Sequence, residues 1–122
     1  MDTQGEKYCD SKEYRLVYSH LIDAARFRGV TTYQHVARVM GLPLVGQHMG
    51  RETGQMLGEI SREEHRCGRP MLTAVVVGTS EFPGDGFYRL AHDLGKVTSP
   101  TEDVAFWEAE RQRTYETWVD KF

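Results

Sequence analysis

The stretch TTYQHVARVMGLPLVGQHMGRETGQMLGEISREEHRC, residues 31–67, decides the fold of this chain. Its second half carries glycines at a constant four-residue spacing, at Gly46, Gly50, Gly54 and Gly58. The segment otherwise has the residue pattern of a helix, in which each glycine costs roughly 1 kcal/mol relative to alanine. Because residues four apart share one helix face, these glycines form a ridge without side chains that another group can approach closely.

A shorter helix is predicted directly before this glycine ridge. Thr31 and Gln34 form a capping pair, and Gly41 is placed to end the helix. Pro43 is expected in the first turn of the next helix, where its missing N–H is no loss, and that helix is predicted over residues 44–67. Two helices joined by a short Gly-x-Pro turn predict a helix-turn-helix-like unit.

The flanking segments contain further helix signals and one strand signal. Asp10 and Glu13 resemble a capping box, and helical spacing of apolar residues predicts a first helix to about Arg28. Residues 71–77, MLTAVVV, predict a buried strand, and residues 87–94 predict a short helix. A last helix is expected to begin at Ser99, and its apolar stripe comprises Val104, Trp107, Tyr115, Trp118 and Phe122. The predicted fold is mainly α with a small β element.

The composition indicates one domain, over residues 10–122, after a flexible N-terminus at residues 1–9. The 122 residues carry a formal charge of −3, and the excess of acids lies in residues 101–122. Tight non-specific DNA binding usually rests on a basic excess, so the charge leaves room only for a local basic patch. No apolar run or leader indicates a membrane span or secretion, and Cys9 and Cys67 read as free thiols of a cytoplasmic protein.

Residues 31–77 resemble the winged-helix DNA-binding domain of the O6-alkylguanine-DNA alkyltransferases and alkyltransferase-like proteins. The matching positions are Thr32-Tyr33, Val36-Ala37, Gly41 with Pro43, the Gly46/Gly50 helix and Pro70. In that family a reactive cysteine, a histidine and an arginine follow the proline, whereas this chain has Met71, Leu72 and Thr73. The resemblance therefore implies a DNA-binding scaffold without alkyl transfer. Residues 106–118 also resemble a segment of small uncharacterised bacterial proteins, which implies no activity.

The glycine ridge allows two interpretations. It could admit a DNA backbone, or it could let the first or last helix pack unusually close. For the first interpretation, arginine and glutamine suit bidentate contacts to guanine and adenine. The predicted contacts with double-stranded DNA are Gln47, His48, Arg51 and Gln55, with Arg38 and Arg62 on phosphates and Tyr33 added by the resemblance.

Catalytic chemistry has weaker candidates. Glu59 and Glu63 share a helix face and precede His65, which would suit a metal-dependent nuclease or hydrolase. Interleaved arginines favour surface ion pairs instead. The five histidines show no zinc-ligand spacing, and no metal or cofactor is expected. Residues 83–86, PGDG, could form an anion-binding nest, although a turn with Asp85 as N-cap is the simpler interpretation.

The aromatic residues of the last helix are predicted to belong to the core, and an exposed partner-binding stripe is the alternative. The sequence thus favours a non-enzymatic DNA-binding protein, with modified or distorted DNA as one target class. A homodimerisation or protein-interaction module is the alternative, followed by the metal-dependent enzyme.

Overall fold

A computed structural model of the protein describes residues 6–121. It confirms the mainly helical fold class: five helices surround one pair of very short strands. The elements are α1 Lys12–Arg26, β1 Thr31–Thr32, α2 Tyr33–Met40, α3 Gly46–Arg66, β2 Val76–Val77, α4 Asp85–Asp93 and α5 Asp103–Trp118. Helices α2 and α3 pack against each other across the turn at residues 41–45, as the helix-turn-helix prediction requires. Within residues 6–121, no helix is long and apolar enough to cross a membrane.

The boundaries of α1 differ from the prediction at both ends. Ser11, not Asp10, is the N-cap, because its Oγ accepts a hydrogen bond of 3.0 Å from the Tyr14 N–H. Asp10 has a φ of 65° and so lies outside the helix. The helix ends at Arg26, and Arg28 adopts a left-handed conformation with a φ of 56°.

The start of α2 is also displaced by one residue. Thr32 caps the helix through a hydrogen bond of 3.1 Å from the His35 N–H to its Oγ1. Thr31 cannot fill this role, since it pairs with Val76 in the sheet. The predicted end at Gly41 is confirmed, and its φ of 79° is the left-handed cap that glycine adopts without strain.

Helix α3 is shorter than predicted at its N-terminus. The helix begins at Gly46 with Val45 as N-cap, so Pro43 belongs to the preceding turn and not to the first helical turn. The predicted end at Cys67 is displaced by one residue, since Cys67 occupies the C-cap position.

The prediction that residues 71–77 form a strand is wrong for most of the segment, but the prediction that they are buried is confirmed. Leu72–Val75 forms a 3₁₀ turn, and only Val76–Val77 pairs, in parallel, with β1. All seven residues are buried. Their apolar character reflected burial in the core, while the surrounding helices offer few backbone groups for a longer strand to pair with. Because β1 and β2 are parallel, no tight hairpin can join them as it would join the two strands of a wing. The winged-helix arrangement stays a prediction.

The last two helices start differently from the prediction. Gly84 is the N-cap of α4, and Asp85 is its first residue rather than its cap. Ser99 precedes a 3₁₀ turn, Pro100–Glu102, and α5 follows at Asp103.

Two apolar clusters form the core. One joins α1, α2 and the middle of α3 to Tyr115 and Trp118, and the other joins α4 to Trp107. Residues 71–77 contribute to both clusters, with Leu72, Val75 and Val76 in the first and Met71, Ala74 and Val77 in the second. Trp107, Tyr115 and Trp118 of α5 are buried, as predicted for core residues. Val104 is 47% exposed and does not belong to the stripe, and Phe122 lies outside the described residues.

Candidate functional site

A cleft of about 490 Å³ lies between α3 and α4. Gly50, Gly54 and Gly58 line it on the α3 side, and Phe87, Arg89 and Leu90 line it on the α4 side. Tyr33, the first residue of α2, contributes to the same wall as Gly84. The glycine ridge therefore borders a space large enough for a small organic ligand.

The interpretation of the ridge as a helix-packing surface is wrong. A Cβ added at Gly50 or Gly54 would meet no atom within 4 Å among residues 6–121. Helix α3 packs on the core through other faces, with Met56 and Ile60 fully buried. At Gly58, the added Cβ would lie 3.1 Å from Nη1 of Arg62, so this arginine lies back over the ridge. The glycines keep the cleft open.

Gly54→Ala is expected to raise the free energy of unfolding by about 0.5–1 kcal/mol, because alanine is the better helix former and its Cβ meets nothing here. Urea denaturation would measure the change. Gly46→Ala is the matched control, since the φ of 83° at Gly46 strains any side chain and should make this variant less stable than wild type. A destabilised Gly54→Ala variant would contradict the open cleft.

The inner end of the cleft carries buried hydroxyl groups. Oγ of Ser61 and Oγ1 of Thr73 lie 2.6 Å apart in a buried hydrogen bond. Thr53 is 1% exposed, and its Oγ1 has no hydrogen-bond partner among the described residues. A buried polar group without a partner costs free energy, and among the buried hydroxyls of the cleft this one is left unsatisfied by residues 6–121.

Tyr33 connects α2 to the turn that precedes α4. The Gly84 N–H donates a hydrogen bond of 2.6 Å to the Tyr33 hydroxyl oxygen, which leaves the hydroxyl proton available to a ligand. Burial raises the pKa of Tyr33, although the Gly84 hydrogen bond partly offsets the effect. The tyrosine therefore stays protonated at neutral pH.

The charged side chains that line the cleft are three arginines and one aspartate, Asp93. Nε of Arg51 lies 3.8 Å from Oε2 of Glu52. Arg62 and Arg89 form no ion pair with any residue in the described part of the chain. The cleft is locally basic in an acidic protein.

The structure brings together part of the predicted DNA-contacting set. Tyr33, Arg51, Gln55 and Arg62 line the cleft. Gln47 and His48 are exposed in the first turn of α3, and Arg38 is exposed on α2 outside the cleft. Gln55 already donates a hydrogen bond of 2.7 Å from Nε2 to Glu59 and is thus less available for a base edge.

Glu59 holds the N-terminal segment. It is 3% exposed, and its carboxylate accepts hydrogen bonds from the backbone N–H groups of Lys7, Tyr8 and Cys9. The neighbouring Glu52 accepts hydrogen bonds from the Lys7 ammonium and the Tyr8 hydroxyl. Burial and the hydrogen bond to Glu52 raise the pKa of Tyr8 to about 12. Residues 1–5 of the predicted flexible N-terminus lie outside the described residues.

The other acid–base candidates have separate surroundings. Glu63 pairs with Arg66 and accepts a hydrogen bond of 3.3 Å from the Cys67 thiol, while His65 is exposed. Cys9 and Cys67 are free and exposed. Within residues 6–121, no three histidine, cysteine or acidic side chains are placed to hold a metal ion. These contacts give Glu59 and Glu63 structural partners.

Sequence reasoning missed Arg89, Thr53 and Phe87. Arg89 and Phe87 lie on α4, and nothing local in the sequence shows that α4 faces the glycine ridge. The PGDG turn, residues 83–86, was the sequence feature that could have pointed to this part of the cleft, since its Gly84 and Gly86 line the cleft. Thr53 carries no signal of its own, because a threonine in a helix is ordinary.

Comparisons with known protein families, with curated proteins and with solved structures found no match to this chain. The resemblance to the alkyltransferase family therefore stays a prediction based on the residues that carry it.

Proposed function

We propose that the protein binds double-stranded DNA through the first half of α3 and the adjoining basic rim of the cleft. One observation carries this proposal: the exposed side chains of Gln47, His48 and Arg51 flank glycines over which the helix surface is open. A helix with this profile can approach a sugar–phosphate backbone closely while its neighbouring side chains reach base edges.

The side chains divide by chemistry. Arg51 and Gln47 suit base edges, because guanidinium and carboxamide groups form bidentate contacts with guanine and adenine. Arg62 and Arg38 suit phosphates, whose contacts set register and supply affinity. His48, beside Gln47, adds a further polar group to the same helical turn.

The net charge of −3 sets the expected strength of binding. Ion pairs inside the fold engage bases as well as acids, since Glu64 pairs with Arg69, and Glu110 with Lys96 and Arg113. The positive charge for DNA must therefore come from other arginines. Arg51, Arg62 and Arg38 then supply about three phosphate or base contacts. The two phosphate contacts, those of Arg62 and Arg38, correspond to a slope of log K against log salt of roughly −2. We expect moderate binding that is sensitive to salt.

Fluorescence anisotropy of a labelled duplex of about 20 base pairs tests the proposal at low and physiological salt. Arg51→Ala is expected to weaken binding about tenfold, through the loss of a base contact of roughly 1–3 kcal/mol, whereas Arg62→Ala, which removes a phosphate contact, should reduce the salt slope by about 1. Arg15→Ala, an equal change of charge on α1, is the matched control and should change affinity less than twofold.

Absence of binding at low salt, or equal losses in Arg51→Ala and Arg15→Ala, would overturn the proposal for ordinary duplex DNA. Duplexes with a mismatch or an alkylated guanine extend the titration to distorted and modified DNA, the target class that the alkyltransferase resemblance suggests. The homodimer alternative predicts instead a mass in solution that rises with protein concentration, unaffected by DNA.

A further inference from the structure

We infer that the interior of the cleft binds a small organic anion with a flat apolar body, such as an aromatic carboxylate, sulfonate or phosphate monoester. This inference goes beyond DNA binding and does not rest on it. The volume of about 490 Å³ lies within the range of about 300–1,000 Å³ that is typical of sites for small ligands.

The hydroxyl of Thr53 is the observation that points to a ligand independently of the glycines. The side chain is 1% exposed, and its Oγ1 has no hydrogen-bond partner among the described residues. Thr53 also lines the cleft. A bound molecule that offers an acceptor or a donor at this point would remove the cost of the unsatisfied hydroxyl.

The arginines define the charge of the ligand. Arg62 on α3 and Arg89 on α4 both line the cleft and form no ion pair within residues 6–121. A carboxylate, sulfonate or phosphate between them would receive charge-assisted hydrogen bonds from the two guanidinium groups. Asp93 on the same wall favours one anionic group over a highly charged ligand.

The lining also contains apolar side chains. Phe87, Leu57 and Leu90 border the cleft, and the Tyr33 ring lies beside Gly84 with its hydroxyl proton free to donate. A flat hydrocarbon ring would cover these side chains and would pass close to the α3 backbone where Gly50 and Gly54 leave space. Inorganic phosphate would contact the arginines but not the apolar side chains, whereas a neutral ring would contact the apolar side chains but not pair with the arginines.

The probes separate these contributions. Titrations use 1-anilinonaphthalene-8-sulfonate as the aromatic anion, N-phenyl-1-naphthylamine as its neutral counterpart, and inorganic phosphate as competitor. We expect one molecule of the sulfonate probe to bind per protein, and the neutral amine to bind at least tenfold more weakly. Phosphate should displace the sulfonate only at a much higher concentration.

Three variants test the site and one serves as control. Arg89→Gln should weaken the sulfonate at least tenfold, Gly54→Leu should abolish its binding by filling the cleft, and Arg15→Gln should change nothing. Thr53→Val is the most diagnostic variant, since removal of the unsatisfied hydroxyl should raise Tm while weakening the sulfonate. If Thr53 had only a structural role, Thr53→Val would lower both Tm and the affinity for the sulfonate.

Sulfonate binding that is equal in Arg89→Gln, Gly54→Leu and wild type would overturn the inference, as would several weak sites or none. Amide chemical shifts in the wild-type protein provide a readout that does not depend on the folding of a variant. Shifts on adding the sulfonate should concentrate in residues 49–62 and 84–93, and shifts concentrated elsewhere would overturn the site. Arg89 and Thr53 are not among the proposed DNA contacts, so either proposal can fail alone.

Discussion

Glu110→Ala is expected to lower the free energy of unfolding by about 3 kcal/mol, because a buried carboxylate that several donors share is removed. Glu110 is 1% exposed. Its Oε2 accepts a hydrogen bond of 2.8 Å from the Met71 N–H and lies 3.3 Å from Nζ of Lys96, while its Oε1 accepts from Arg113. Arg113 is half exposed and can turn to water, so most of the cost comes from the buried Met71 N–H.

Urea denaturation with an unchanged m value would measure this loss. Glu110→Gln keeps an acceptor for the Met71 N–H and should lose only about 1 kcal/mol. Glu108→Ala, an exposed acid of the same helix, should stay within about 0.5 kcal/mol of wild type. A loss below about 1 kcal/mol for Glu110→Ala would show that Met71 finds another acceptor.

The difference in the free energy of unfolding between wild type and Glu110→Gln is expected to depend on pH. Burial acts to raise the pKa of Glu110, but the Met71 N–H, Arg113 and Lys96 outweigh it and hold the pKa below the ordinary value of 4.5. A depressed folded-state pKa gives stability that is complete above the unfolded value and is lost as pH falls through the folded value. The advantage of wild type over Glu110→Gln should therefore be constant from pH 7 to about pH 5 and shrink below about pH 4.5.

Trp107→Ala is expected to cost about 3–5 kcal/mol, the range for deletion of a large buried side chain. Trp107 is 3% exposed, and its Nε1–H donates a hydrogen bond of 2.9 Å to the Ala74 carbonyl. Its ring lies 5.4 Å from that of Phe82 and beneath the Arg111 guanidinium, 4.4 Å from the centroid. The variant loses apolar burial, leaves a cavity and orphans the Ala74 carbonyl.

Thermal denaturation followed by circular dichroism should show a fall in Tm of roughly 10–20 °C for Trp107→Ala. Trp107→Phe restores most of the volume and should recover more than half of the loss, with the remainder due to the missing hydrogen bond. Val104→Ala on the same helix, where the side chain is 47% exposed, should change Tm little. Equal losses in the alanine variants at positions 104 and 107 would contradict the described core.

The helices could be predicted because their signals are local. The observed caps, Ser11 and Thr32, lie one residue after the predicted ones, and each accepts a hydrogen bond from an N–H three residues away. Gly41 ends α2, as predicted, with a backbone conformation that few other residues adopt. One error arose where a tertiary contact competed with a local one. Thr31 looked like a cap and instead pairs with Val76 in the sheet.

Residues 71–77 show why the rest of the fold was less accessible. Their apolar character predicts burial correctly, but burial alone does not distinguish a strand from a 3₁₀ turn. A strand needs neighbouring backbone groups over its whole length, and β1 supplies only two residues.

The sequence by itself determined which segments form helices and the existence of a helix ridge without side chains, because each depends on residues within one or two turns. The tertiary structure decided what that ridge faces. It places α4 opposite α3 and leaves Gly50 and Gly54 open to a cleft, and it places the Glu59 carboxylate where it accepts hydrogen bonds from the backbone of residues 7–9. The physical reason is that helix–helix placement depends on the packing of side chains distant in sequence, which no local pattern records.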